Sequence, residues 1–169
     1  MNVYNIINEL QKHPSKQYKK RKISNIKKLV IHHSLTYHTL QEDSREIVDR
    51  FAKYHIEHNG WAAIGYHYVI GRDGKIYKTN NASIWTYHVG KHNRYSLGIL
   101  MTGDMRTQTP TNAQYDALLR LTQVVKSAYC PSKSINNCIV GHSELSGYEW
   151  KECPEIDMDQ FRGDLKSNG

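Results

Sequence analysis

Long apolar runs are missing from this chain of 169 residues. No stretch approaches the ~20 apolar residues that span a bilayer, so no membrane segment is expected. The start, MNVYNIINELQKHP, lacks a basic region followed by an apolar one, so no secretory signal is expected either. Cysteine is sparse: three residues in a chain this long do not make a disulfide framework. Cys130 and Cys138 are placed either to pair across a short loop or to stay as separate reduced core thiols. No segment repeats another, which excludes a solenoid or array. Acidic residues are absent between Glu9 and Glu42, while Lys12, Lys16, Lys19, Lys20, Arg21, Lys22, Lys27 and Lys28 fall in that gap. This uneven share of the net charge of +7 would attract any polyanion, nucleic acid or an anionic cell-wall polymer alike. With only Tyr18 interleaved and no nucleic-acid motif, base reading is not indicated.

What is present suits one domain, large enough to bury roughly two-thirds of its unfolded surface. Val3, Ile6, Ile7 and Leu10 fall at helical spacing and predict a short amphipathic helix over 2–10. Pro14 closes it, and the basic stretch to Lys22 reads as an irregular connector. Leu29 to Ile31 is an apolar triplet fit for a buried central strand. Asp43 and Glu46 form a capping pair that opens a helix running to about His58, with Ile47, Phe51 and Tyr54 on one face; Asn59-Gly60 stops it. Tyr66–Ile70 and Lys75–Lys78 flank Gly71-Arg72-Asp73-Gly74, a hairpin signal. Ser96–Met101 is a further strand. Pro110-Thr111 precedes a long helix with Tyr115, Leu118, Leu119, Thr122 and Val125 as its core stripe. Cys138–Val140 is the last strand, and Asp157–Leu165 a terminal helix. The order predicts an α/β fold: a central mixed sheet flanked by helices, with chemistry at strand ends and loops.

The richest stretch is GHSELSGYEWKECP, Gly141 to Pro154. Ile139-Val140 runs into Gly141-His142, and the loop then reaches Lys151-Glu152-Cys153. Imidazole and thiolate both ligate zinc, so this loop can bring His142 and Cys153 to one metal. A catalytic zinc needs a third protein ligand and an open position. The end of the strand Leu29-Val30-Ile31-His32-His33 is the place to seek it, and the two histidines point to opposite faces. A lysine beside a metal-held thiolate suits a site where an oxyanion forms.

Four blocks then fall into one order: Leu29 to Ser34; Gly65 to Ile70 with Arg72-Asp73-Gly74; His88 through Ser96-Leu97-Gly98-Ile99; and Gly141-His142 through Lys151-Glu152-Cys153-Pro154. Together they resemble the type 2 family of N-acetylmuramoyl-L-alanine amidases, which includes short phage lysozymes and peptidoglycan-recognition proteins. The resemblance covers roughly residues 26 to 163. It implies a zinc ion held by His32, His142 and Cys153, with His33 structural, and Tyr66 and Lys151 as catalytic residues. It places His88, with Asn93 as companion, along the substrate groove. His67 is expected in the core, on the face opposite Tyr66, and His13, His38, His55, His58 and His92 as ordinary polar residues. Some members carry a glutamate where this chain has Leu100, so the base role would pass to Tyr66 or to the metal's activated water. The loop from His142 to Lys151 is about a residue longer than in some relatives.

The implied activity is hydrolysis of the amide joining N-acetylmuramic acid to L-alanine, by a phage-type enzyme. It would be made in the cytoplasm (of the host, if phage-encoded) and act on the wall after release. The other readings are a non-catalytic peptidoglycan-binding module and an amidase of intracellular muropeptide recycling. The expected organisation is an N-terminal helix and basic connector over 1–25, the zinc domain over 26–165, and a polar tail over 166–169. A monomer is expected, with peptidoglycan and anionic wall polymers as partners, the latter through residues 12–28.

Overall fold

The triplet Leu29-Val30-Ile31 is wholly shielded from solvent. In the computed structural model, which describes residues 2–167, it lies inside a six-stranded sheet. In chain order the strands are β1 (Val3–Asn5), β2 (Lys19–Lys20), β3 (Lys28–His33), β4 (Tyr68–Ile70), β5 (Ile76–Lys78), β6 (Ile84–Trp85), β7 (Ser96–Met101) and β8 (Ile139–Gly141). The helices are α1 (Ser44–Glu57), α2 (Asn112–Tyr129), α3 (Ile135–Cys138) and α4 (Met158–Ser167). The sheet order is β1-β5-β4-β7-β3-β8, with all neighbours parallel except the β4–β5 hairpin. β2 and β6 form a separate antiparallel ribbon.

Paired on both sides and covered on both faces, β3 reads as a continuous apolar run. Leu29 and Ile31 join Ile70, Leu97, Ile99 and Met101 beneath α2 and α4, which contribute Leu118, Leu121 and Phe161. Val30 faces the other way, with Val89, Val140 and Leu145. Beside it, Val69 and Leu100 meet Val48 and Ala52 of α1. That helix starts where Asp43 accepts hydrogen bonds from the Arg45 and Glu46 N–H groups, as the capping pair predicts. Thr111 caps α2 through the Gln114 N–H. The buried stripe of α2 adds Ala117 and Leu121, leaving Tyr115 and Leu119 at its border.

Three expectations are corrected. Residues 2–10 do not form a helix: β1 takes the open edge of β5, Val3 opposite Ile76 and Asn5 opposite Lys78. Val3 is exposed, while Ile6 and Leu10 alone of the four apolar positions are buried. A free strand edge supplied backbone partners that outweighed a weak helical pattern. The connector is not irregular throughout, since Lys19-Lys20 pairs with Trp85-Ile84. Lys166 and Ser167, expected in the polar tail, belong to α4, and Asn168 and Gly169 lie outside the described residues. Cys130 and Cys138 are both buried free thiols, which closes the choice left by the sequence.

Candidate metal centre

β3 ends in His32 and His33, whose side chains leave on opposite faces as strand alternation requires. His33 turns toward the loop after β7, where its Nδ1 accepts from the Met105 N–H at 2.9 Å. His32 stays on the Val30 face. β8 ends at Gly141 beside Ile31, so His142 emerges next to His32, with ring centroids 4.7 Å apart. The loop then doubles back, and the Ser143 N–H donates to the Cys153 carbonyl at 2.9 Å. A Cβ on residue 141 would lie 2.7 Å from Pro154 Cδ, so glycine is what lets the returning chain close on the strand.

The ligating atoms of His32, His142 and Cys153 lie within 4.8 Å of one another, and all three residues are buried. His32 Nδ1 is 3.8 Å from Cys153 Sγ. A tetrahedral zinc with ordinary Zn–N and Zn–S bonds sets that separation at about 3.6 Å. His142 Nε2 is buried with no hydrogen-bond partner. Burial, then the neighbouring His88 and His142, holds the His32 imidazole well below its ordinary proton affinity. Burial and Lys151 bring His142 down to about 4. Both rings therefore keep free lone pairs at neutral pH. Burial pushes the Cys153 thiol up to about 12. A divalent cation is what would reverse that and draw out the thiolate. Donor types, spacing and the unpartnered nitrogen all fit zinc.

Tyr66 lies against this cluster, its ring 5.3 Å from that of His32. Burial, then the charge a Cys153 thiolate would carry, pushes its phenol far above the usual range, so it remains a hydrogen-bond donor. His88 Nδ1 is 3.0 Å from His32 Nε2, which leaves His32 Nδ1 facing Cys153. The His88 ring fits because residue 98 is glycine; a Cβ there would sit 2.8 Å from the imidazole. Asn93 is 4% exposed, and its Oδ1 accepts from the His88 and Val89 N–H groups, so it shapes the loop carrying His88. Lys151 rests with Nζ 4.4 Å from the centre of the exposed Trp150 ring. Its charge lowers the proton affinity of His32, His142 and Cys153, which puts all three within its electrostatic reach. Leu100 is buried in the apolar cluster beneath α1, and no carboxylate takes its place.

A family model described as N-acetylmuramoyl-L-alanine amidase, Amidase_2, matches residues 22–156. The chain belongs to this family. Among curated proteins, peptidoglycan-recognition protein SC2 of Drosophila melanogaster is 30% identical over 127 residues, covering 74% of this chain and 66% of the relative. Peptidoglycan-recognition protein LB of the same fly is 31% identical over 132 residues, covering 75% and 53%. The chain thus spans from about half to just under two-thirds of these relatives' length. Among solved structures, Drosophila PGRP-LB superposes with a TM-score of 0.77 at 23% identity, over 98% of this chain and 93% of that one. The N-acetylmuramoyl-L-alanine amidase LysC from Clostridium intestinale gives 0.73 at 19%, over 98% of both chains. The Ph2119 endolysin from a Thermus scotoductus bacteriophage gives 0.74 at 23%, over 97% and 98%.

In this member of the amidase family, several supports were not legible in the sequence. Glu144 accepts from the Gly141 N–H at 2.7 Å, and both its oxygens are held by Arg162 at 2.8 and 2.9 Å. That fork ties α4 to the turn bearing His142. His92, expected as an ordinary polar residue, is buried; its Nε2 meets the Ser146 carbonyl at 2.9 Å and its Nδ1 meets the Tyr95 hydroxyl. His38 is buried too, between Thr36 and Glu42. Tyr148 packs its ring 4.7 Å from that of His142. His67 is fully buried as expected, but not on the opposite face: β4 starts only at Tyr68, and its ring lies 6.0 Å from His88. Its Nδ1 accepts from the Gly98 N–H at 3.1 Å, which places the proton on Nε2, facing the Ile84 carbonyl at 2.9 Å. Contacts between distant segments, Arg162 with Glu144 and His92 with Ser146 among them, complete these roles, and no local pattern announces those.

Proposed function

We propose that this protein is a zinc-dependent peptidoglycan hydrolase that cleaves the amide between N-acetylmuramic acid and L-alanine of the stem peptide, and so lyses bacterial walls. The observation that carries this reading is the buried, uncharged His32–His142–Cys153 set flanked by a phenol and an ammonium. His32, His142 and Cys153 would hold the zinc, which when bound supplies an activated water and polarises the scissile carbonyl.

The chain's own residues supply the rest. His88 fixes which nitrogen His32 turns toward Cys153, and Asn93 holds the loop that carries His88. Tyr66, protonated at neutral pH, orients the attacking water and shuttles a proton from it to the leaving amine, giving its own proton to the nitrogen and regaining one from the water. Lys151 balances the charge that develops on the carbonyl oxygen, worth roughly 3–4 kcal/mol for one well-placed donor. Among the described residues the candidate ligand cluster is two imidazoles and a thiol, a donor set suited to metal-assisted amide cleavage and not the carboxylate pair that glycoside hydrolysis uses. The endolysin setting, a monomeric enzyme made in the cytoplasm and released onto the wall, belongs to the same proposal. No helix among the described residues is long and apolar enough to cross a membrane.

A second reading, a peptidoglycan-binding module without catalysis, is favoured by the recognition-protein relatives. Digestion of purified peptidoglycan separates the two. Hydrolysis should expose new L-alanine amino groups without new reducing sugars. Wall binding with no new amino groups would establish the binding module; reducing ends would mean a glycosidase. Intact wall and soluble muropeptides, compared as substrates, separate a lytic enzyme from a recycling one.

A further inference from the structure

The acid-free stretch does not act as a loose arm. Its residues wrap the domain and build one wall of a groove of about 450 Å³ lined by Lys20, Lys22, Lys27, Arg94, Trp85 and Tyr95 above Arg21. Arg94 comes from the segment just before β7, far from the arm in sequence. The side chains of Lys20, Lys22, Lys27 and Arg94 are exposed, or nearly so, and no acidic residue lines the groove. Among the described residues, none of these four cations forms an ion pair. Four unpaired charges around one concavity repel one another, a cost that a bound polyanion would remove.

Arg21 is different. Its guanidinium donates to the carbonyls of Ala82, Asn93 and Ser96 at 2.7–2.8 Å and lies against His67. It is the bolt at the groove floor, with its Nε and Nη1 donors committed to backbone carbonyls. Because Asn93 holds the His88 loop, the groove floor and the wall of the candidate metal centre are continuous.

We propose that this groove binds a linear phosphodiester polymer without bases, of the glycerol-phosphate kind that accompanies peptidoglycan in cell walls. The choice of source rests on the peptidoglycan reading above. The choice against nucleic acid rests on the aromatics. Trp85 and Tyr95 are the two aromatics among the lining residues, and Lys19 Nζ lies 5.5 Å over the Trp85 ring, so the groove offers no row of free faces for stacking bases.

The test measures binding of fluorescent poly(glycerol phosphate), and of a single-stranded oligonucleotide of equal charge, by intact protein. The variants are K20Q/K22Q/K27Q/R94Q and the charge-matched control K53Q/K126Q/K133Q/K166Q, with R94Q alone as a probe outside the arm. The groove variant should bind the polymer at least tenfold more weakly at low salt. Its log–log salt slope should shrink by roughly three, as for about four lost phosphate contacts on a flexible chain. R94Q alone should weaken binding measurably, and the control should keep most of the parent affinity. Equal losses in groove variant and control would reduce the effect to net charge and overturn the proposal. So would tighter binding of the oligonucleotide by the parent. Hydrolysis of a soluble muropeptide, followed on the same samples, should be unchanged in the groove variant. Hydrolysis without groove-dependent polymer binding defeats this proposal alone; groove-dependent binding without hydrolysis defeats the amidase reading alone.

Discussion

At the scale of single residues, the proposed roles separate metal holding from catalysis. Cys153→Ala removes one of three donors and should lower zinc content, thermal stability and turnover together, since metal binding and folding are linked. Lys151→Ala should retain zinc and wall binding but lose roughly 100-fold or more in kcat, because the charge it meets develops only in the transition state. Tyr66→Phe should behave like Lys151→Ala. Zinc analysis, wall binding and turnover on the same three proteins check this; parental turnover in both Lys151→Ala and Tyr66→Phe would sink the catalytic assignment. Gly98→Ala addresses position rather than chemistry. Its Cβ would meet the His88 ring at 2.8 Å. The expected cost is about 1–3 kcal/mol by denaturant unfolding, together with weaker zinc retention as His32 loses its neighbour's hold.

At the scale of elements, residues 2–25 are a strap whose key is Arg21. The carbonyls of Ala82, Asn93 and Ser96 all depend on it. Arg21→Met should therefore cost on the order of 2–4 kcal/mol, since buried acceptors lose their donors at once. Lys22→Gln, one residue along and exposed, should stay within about 0.5 kcal/mol. Urea unfolding of both variants decides it; equal losses would mean that Arg21 is an ordinary surface cation. Lys16 Nζ on the Gly60 carbonyl at 2.6 Å and the Tyr18 hydroxyl on the Ala63 carbonyl at 2.6 Å hold the rest of the strap down.

For the whole molecule, buried histidines set the acid limit. Burial, then the charge of Arg21, brings His67 down to about 3 from 6.5, and burial alone brings His55 to about 4. Both rings are neutral in the fold and titrate near 6.5 when unfolded. Below that pH the unfolded chain takes up protons that the folded chain refuses, so stability falls as pH drops. It is full above about 6.5 and is lost progressively down to the folded values near 4 and 3. Metal-free protein should lose roughly 10 °C or more in Tm between pH 7 and pH 4.5. His55→Gln, whose amide oxygen can still accept from the Gly65 N–H, should flatten that profile. An unchanged slope would mean that His55 already carries its proton in the fold.

The sheet's core, the hairpin and both long helices were legible because their causes are local. An apolar triplet cannot stay in water, Gly71–Gly74 must turn, and Asp43 and Thr111 end the search for a helix start. The four-block resemblance located the family, and it named the three side chains that the fold gathers, His32, His142 and Cys153, because spacing along the chain survives in sequence. The strap was misread for the opposite reason. Whether Val3-Tyr4-Asn5 becomes helix or strand depends on a vacant edge of β5 more than seventy residues away. Likewise, the basic stretch could be counted but not sorted. Only packing shows that Arg21 is spent on three carbonyls while Lys20, Lys22 and Lys27 meet Arg94 around a groove. Local chemistry sets what each segment prefers; the tertiary contacts decide which donors are already used and which remain for a ligand.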